Sequence, residues 1–296
     1  MVELQPDEAG VSGVRRILLE WVAGAGDALH KKRISDANIH DARKQLKKSR
    51  AALRLLRDSV GEIAYRRENT ALRDAARPLG VARDSKVLVT ALDDLVERYK
   101  PAARSLKLDK FRRVLRQEQR AARQAITQTL ANKQRKALRE VKVRGARWNM
   151  KGADWEIIGG GLGRIYRGGK KRMKTARRSR TNEDLHDWRK QVKYLWHQLQ
   201  ILEPVWPGPL GELADQSHKL ADHLGDDHDL AVLRTKITAD TETFEGKDCD
   251  ALIAVLDRRR KQLQNKAFRL GARIFQERPE RFVGRIGQYW ELWRKE

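Results

Sequence analysis

His40-Asp41-Ala42-Arg43-Lys44-Gln45-Leu46-Lys47 is one of two segments in this chain that are dense in side chains able to hold an anion. The other is His186-Asp187-Trp188-Arg189-Lys190-Gln191-Val192-Lys193, identical at six of eight positions at an offset of 146. A shared Lys or Arg is cheap in a basic chain; a shared His-Asp start is not. Arginine presents a planar fork that holds two phosphate oxygens at once. Lysine supplies a compact charge that tolerates an irregular row of phosphates. Histidine, with an ordinary pKa of about 6.5, donates hydrogen bonds when neutral and gains charge beside an anion. This mixture suits a flexible polyanion better than one rigid small ligand. A second pair of motifs follows in the same order. Leu79-Gly80, Arg83-Asp84 and Val87-Leu88 match Leu224-Gly225, His228-Asp229 and Val232-Leu233 at an offset of 145. Two motifs at nearly one offset argue for internal duplication. The natural architecture is two helical bundles related by a pseudo-two-fold axis.

On a helix turning about 100° per residue, Ile39, Ala42, Leu46, Ser49, Leu53 and Leu56 share one face, predicted to pack in the core. His40, Arg43, Lys44, Lys47, Arg50 and Arg54 share the opposite side, a stripe of roughly 20 Å at the helical rise. The second copy repeats this. Leu185, Trp188, Val192, Leu195, Leu199 and Leu202 face inward, and His186, Arg189, Lys190, Lys193 and His197 line the other side. A solvated helix face ordinarily mixes signs, because like charges one turn apart repel. A one-signed stripe therefore points to an external anion. Arg73, Arg77 and Arg83 extend the predicted site from the next helix, and His218 and His228 add to it from the second copy.

Helical spacing recurs over 11–31, 36–58, 62–98, 105–142, 183–203, 209–240, 248–276 and 279–294, and strand-like alternation is scarce. The fold class expected is all-α, as a first helical repeat over 11–142, a connector over 143–182 and a second repeat over 183–294. The connector reading rests on Gly159, Gly160, Gly161, Gly163, Gly168 and Gly169, followed by a basic run from Lys170 to Arg180; a short helix is expected only at its end. Lys and Arg number 64 against 40 Asp and Glu, a net charge of +24 and a pI of about 10.4. An excess that large repels itself and calls for an anionic partner: nucleic acid, a membrane surface or a smaller polyanion. Solvated basic faces are the bland alternative. A hydrophobic content of 40% over 296 residues still allows a sizeable core. The lone Cys249 forms no internal disulfide, which fits a reducing compartment. No apolar stretch is long enough to span a membrane, and the first residues have neither a basic n-region nor an apolar run, so a cytoplasmic protein is expected.

Catalytic and metal constellations are missing. His223 and His228 flank Asp226 and Asp227, but not at an i,i+4 spacing, and no His-Glu-x-x-His occurs. Gly163 to Lys171 comes near a P-loop, yet two glycines precede the lysines, no Ser or Thr follows and no strand precedes it. No paired carboxylates stand out as metal ligands for phosphoryl transfer. No enzyme activity, cofactor or metal is expected.

The duplicated His-Asp-x-Arg-Lys-x-x-Lys helix, followed by Leu-Gly-x-x-x-Asp-x-x-Val-Leu, resembles the CHAD family (conserved histidine α-helical domain), from about Val11 to Trp293. Arg164-Ile165-Tyr166-Arg167 before Lys170-Lys171 also resembles the family's approach to its second half. The resemblance implies two four-helix bundles with a basic surface around their interface, and inorganic polyphosphate bound there. It carries over to His40, Arg43, Lys44 and Lys47, to His186, Arg189, Lys190 and Lys193, and to Arg83 and His228. The first copy departs from the second by having Arg83 where the second has His228, which weakens any metal-centre idea. Family members are often joined to a triphosphate-processing tunnel domain, whose Glu-x-Glu-x-Lys signature this sequence does not contain. A nucleic-acid-binding helical protein is the alternative. Single-strand binders pair basic grooves with stacking aromatics, and only Trp196 falls beside a stripe. An adaptor that targets polyphosphate granules is compatible with the main reading.

Overall fold

The computed structural model describes residues 3–100, 106, 108–150, 152, 154–239 and 247–296. These form eleven α-helices and one short 3-10 turn, with no strand among the described residues: α1 (Gly10–Ala28), α2 (Asp36–Leu55), α3 (Arg57–Val60), α4 (Glu62–Arg98), α5 (Asp109–Gln124), α6 (Gln128–Ala146), α7 (Asp154–Ser179), α8 (Asn182–Leu202), the 3-10 turn Glu203–Val205, α9 (Pro207–Ala239), α10 (Lys247–Ile274) and α11 (Pro279–Trp293). Among the described residues no helix is long and apolar enough to cross a membrane. The chain is all-α, as its periodicity predicts.

The two motif helices start on side-chain caps. Ser35 and Asn38 form a reciprocal capping box at α2, and the Thr181 hydroxyl accepts the Asp184 N–H at α8. All twelve positions predicted to face inward from these two helices are buried. The single helix predicted over 105–142 is instead two. The Thr127 hydroxyl accepts the Leu130 N–H and opens α6, so the apolar continuity through Ile126 conceals a break. Residues 105 and 240, at the ends of two predicted helices, lie outside the described residues.

The connector requires the larger correction. Residues Asp154–Ser179 form a 26-residue helix, and its glycines are packing residues. A methyl group at Gly161 would fall 2.6 Å from both the Cα and the carbonyl oxygen of Leu55, and one at Gly169 would fall 2.6 Å from the Phe275 ring. Only glycine lets the backbone of α7 come this close to the end of α2. α7 packs on α8 as α1 packs on α2, so it holds in the second half the place of α1 in the first. The order of elements thus runs in parallel through the two halves.

The cores do not divide between the halves. One cluster takes Leu46, Leu53, Leu72 and Leu79 from the first half together with Tyr166, Trp188, Leu199 and Leu224 from the second. The other joins Leu88, Leu92 and Leu95 of α4 and Phe111 of α5 to Leu230 and Leu233 of α9 and Leu256 of α10. Each fully buried leucine contributes about 2 kcal/mol. The long helices α4 and α9 run from one cluster into the other, and the second motif of each half lies where the change occurs.

Candidate polyanion site

The site is built where α2 crosses α8. The crossing is sealed by the Gln198 side-chain amide, which donates to the Ala51 carbonyl at 3.2 Å. Four cations of the paired motifs gather here. The Arg43 side chain is only 14% exposed and meets Asp84 at 3.3 Å. Lys47, Lys193 and Arg189 are each half-buried. Neither lysine forms an ion pair or hydrogen bond among the described residues. Arg189 has no acidic partner among them, and its Nε is buried without a hydrogen bond. Burial, reinforced by Arg43 and Arg189, pushes the Lys47 amine down to about 8. Burial, with Arg189 and Lys47 adding to it, pushes Lys193 down to about 7. Across the crossing, Lys47 thus feels Arg189 and Lys193 feels Lys47. Half-buried cations without counter-ions are unfavourable unless something anionic joins them.

The histidines flank this cluster. The His186 and His228 rings stand 4.4 Å apart, and the His186 Nδ1 is buried without a partner. Burial lowers His186, with Lys190 and Arg189 next. Burial also pushes His228 down to about 4, helped by Arg189, so both rings are neutral at neutral pH. His40 is lowered by burial and then by Arg83. His40 and Arg83 also line a cavity of about 1130 Å³ together with Lys86, Arg98 and Arg259 and the acids Asp94, Asp226 and Asp229. Burial raises the carboxyls of Asp226 and Asp229. Beyond Arg83 the one-signed stripe therefore gives way to a lining of mixed charge.

Other predicted residues occupy several surroundings. Lys44 and Lys190 are exposed, Lys190 with Asp187 at 2.5 Å. The Arg50 Nε donates to Asn69 at 3.2 Å. Arg54 lies 3.7 Å over the Tyr194 ring and donates to the Arg50 carbonyl at 2.7 Å, so both extend the stripe as tethered charges. Arg73 and Arg77 are exposed, and Arg73 is neutralised by Asp74 at 2.9 Å. Of the remaining predicted histidines, His197 leaves the surface and His218 stays partly exposed. His197 is 3% exposed, hydrogen-bonds Gln200 at 3.1 Å and is pushed by burial down to about 3. It is a core residue, because the α2–α8 crossing buries a flank that the simple stripe leaves open. His218 stacks on Trp196 at 3.8 Å and faces Asp222 at 3.5 Å. No group of His, Cys, Asp and Glu able to hold a metal occurs among the described residues.

Two features were not visible in the sequence. Asp84 is the partner of Arg43, and the motif glycines lie beneath the arginines: a Cβ at Gly80 would stand 2.7 Å from Arg43 Nη1, and one at Gly225 3.4 Å from Arg189 Nη2. The doubled Leu-Gly carried a signal for this only once the two helices were known to face each other.

No curated protein matches the chain. The family model of the CHAD domain does match it, over residues 16–238, and that family is linked in general to polyphosphate and triphosphate binding. The matched stretch runs from α1 to the end of α9 and contains both copies of both motifs, together with the α2–α8 crossing that they build; the chain belongs to the CHAD domain family.

Proposed function

We propose that the α2–α8 crossing binds inorganic polyphosphate, without turning it over, and that the two motif pairs are copies of one duplicated unit. The observation that carries the reading is the pair Lys47 and Lys193. Two half-buried amines form no ion pair among the described residues, beside Arg43 and Arg189, and the more distant Asp84, Asp222 and Asp229 offset their mutual repulsion only in part. A chain of phosphates supplies what they lack: closely spaced negative oxygens, no bulky bases, and enough flexibility to follow a recess between helices. Tethered Arg50 and Arg54 continue the positive track along α2, while the cavity beyond His40 and Arg83 is of mixed charge.

Nucleic acid is less well supported. Trp188 is fully buried, Trp196 is stacked against both His197 and His218, and the Tyr194 ring is covered by Arg54. The aromatics nearest the cluster are thus already engaged rather than offered to bases. A role in the cytoplasm, recruiting the chain to polyphosphate granules, follows from the same reading. Titration with long-chain polyphosphate, duplex DNA and single-stranded RNA at matched ionic strength tests it, with released phosphate assayed in parallel. Polyphosphate should bind most tightly, weaken with salt through counterion release and stay intact. Equal affinity for duplex DNA would replace this reading with the nucleic-acid one, and metal-independent phosphate release that copurifies with the protein would overturn the non-catalytic part.

A further inference from the structure

Gly80 and Gly225 lie inside helices of 37 and 33 residues, where glycine is destabilising relative to alanine. Some other helical glycines have packing reasons, as Gly161 does against the Leu55 backbone, while Gly26, Gly208 and Gly284 have nothing within 4 Å of a Cβ. These two differ. The atoms nearest a Cβ at Gly80 are Arg43 Nη1 at 2.7 Å, Asp84 Oδ2 at 3.7 Å and Arg43 Cζ at 3.9 Å. Those nearest a Cβ at Gly225 are Arg189 Nη2 at 3.4 Å, Nε at 3.5 Å and Cζ at 3.8 Å. In both halves the group nearest the missing side chain is the guanidinium of that half's own motif arginine, which intrudes on that space at Gly80 and borders it at Gly225.

We infer that Gly80 and Gly225 are positioning residues of the anion site, each forming a bare shelf of helix backbone on which Arg43 or Arg189 lies so that its guanidinium is held beside Lys47 and Lys193. This rests on the polyphosphate reading of the crossing. A shelf fixes the long arginine side chain before ligand arrives, which spares rotamer entropy on binding. It also explains why the Leu-Gly pair recurs in register with the Arg-Lys motif: the leucine packs in the core, and the glycine supports the arginine. The shelves are unequal. An added methyl at Gly80 collides with the mobile tip of Arg43 and must swing it away, whereas at Gly225 the methyl meets Arg189 at ordinary contact distance.

The test is a double-mutant cycle read by affinity for long-chain polyphosphate at fixed salt, with the melting temperature measured alongside. Gly80→Ala should keep or raise the melting temperature yet weaken binding about fourfold, most of what removing the Arg43 side chain itself would cost. Gly225→Ala should weaken it only about twofold, since the contact there is looser. In an Arg43→Ala background, Gly80→Ala should weaken binding no further, which separates positioning from general damage to α4. Parent-like affinity of Gly80→Ala, or an equal loss with and without Arg43, overturns the shelf. If Gly80→Ala does not fold, Gly225→Ala and its cycle with Arg189→Ala carry the same test; an effect that persists without Arg189, or no effect at all, overturns it. An Arg43→Ala variant that binds like the parent sinks the ligand reading and the shelf together; weakened Arg43→Ala beside unaltered Gly80→Ala sinks the shelf alone.

Discussion

Arg43 and Arg189 occupy equivalent places on α2 and α8, and each lies on the glycine of its own second motif. Only Arg43 has an acidic partner, Asp84 at 3.3 Å. The matching Asp229 is more buried, its carboxyl raised by that burial and only partly offset by Arg189, and it forms no ion pair among the described residues. Arg189 also keeps its buried Nε unsatisfied. Beside Arg43 stands a permanent charge, Arg83; beside Arg189 stands His228, neutral near pH 7 because burial pushes it to about 4. One half thus presents charge that is already balanced in part, and the other presents charge still waiting for a counter-ion. The two motif pairs share a frame, and a few positions make the two halves unequal.

The two lysines are where the halves are most alike, so their joint removal should have the largest effect. Lys47→Ala with Lys193→Ala should weaken polyphosphate binding by more than about 100-fold, two charge-assisted contacts being lost. Calorimetric titration checks this, and a loss below tenfold would return the crossing to a merely solvated basic surface. The single arginine variants sharpen the asymmetry. Arg189→Ala should cost about 30-fold and Arg43→Ala about fivefold, because Asp84 already competes with the ligand for Arg43. Equal losses would erase the distinction between the halves.

pH provides a third comparison, with two opposite signs. Lys47 and Lys193 carry folded-state values of about 8 and about 7, below their unfolded value. Rising pH from 6.5 to 9 discharges them, and polyphosphate affinity should fall by about tenfold or more. Stability of the unliganded protein should move the other way. Over that window the unfolded chain binds more protons than the folded one, so folding becomes more favourable as pH rises. Lys193→Met should raise the melting temperature of the free protein more than Lys47→Met, and thermal scans at pH 7 and pH 9 with and without ligand read both trends. The smallest effect is expected at the acids. Asp84→Asn should strengthen binding about two- to threefold by releasing Arg43, and competition titration would detect it.

Much of this was legible in the sequence because it depends on local periodicity. The inward faces of α2 and α8, and the cations on their other side, follow from spacing alone. What remained hidden depends on contacts between distant segments. His197 reads as part of the stripe on an isolated helix, but α2 packs across that flank and buries it. The glycine run of α7 reads as a linker, because composition cannot distinguish backbone freedom from close helix packing; Leu55, 106 residues before Gly161, decides it. The two-bundle expectation met a related limit. Both hydrophobic clusters draw on both halves, since α4 and α9 are long enough to pass from one to the other. Asp84 could not be named as the partner of Arg43 until α4 was placed against α2.

The most direct measurement is residue-resolved acylation of lysines, followed by mass spectrometry with and without saturating long-chain polyphosphate. Amines with depressed values react readily when free and accessible, because more of each is neutral near pH 8. With ligand bound, acylation of Lys47 and Lys193 should stop, while that of exposed Lys295, at the far end of the chain, should continue. Unchanged modification of Lys47 and Lys193 at saturation would contradict the placement of the ligand at the α2–α8 crossing.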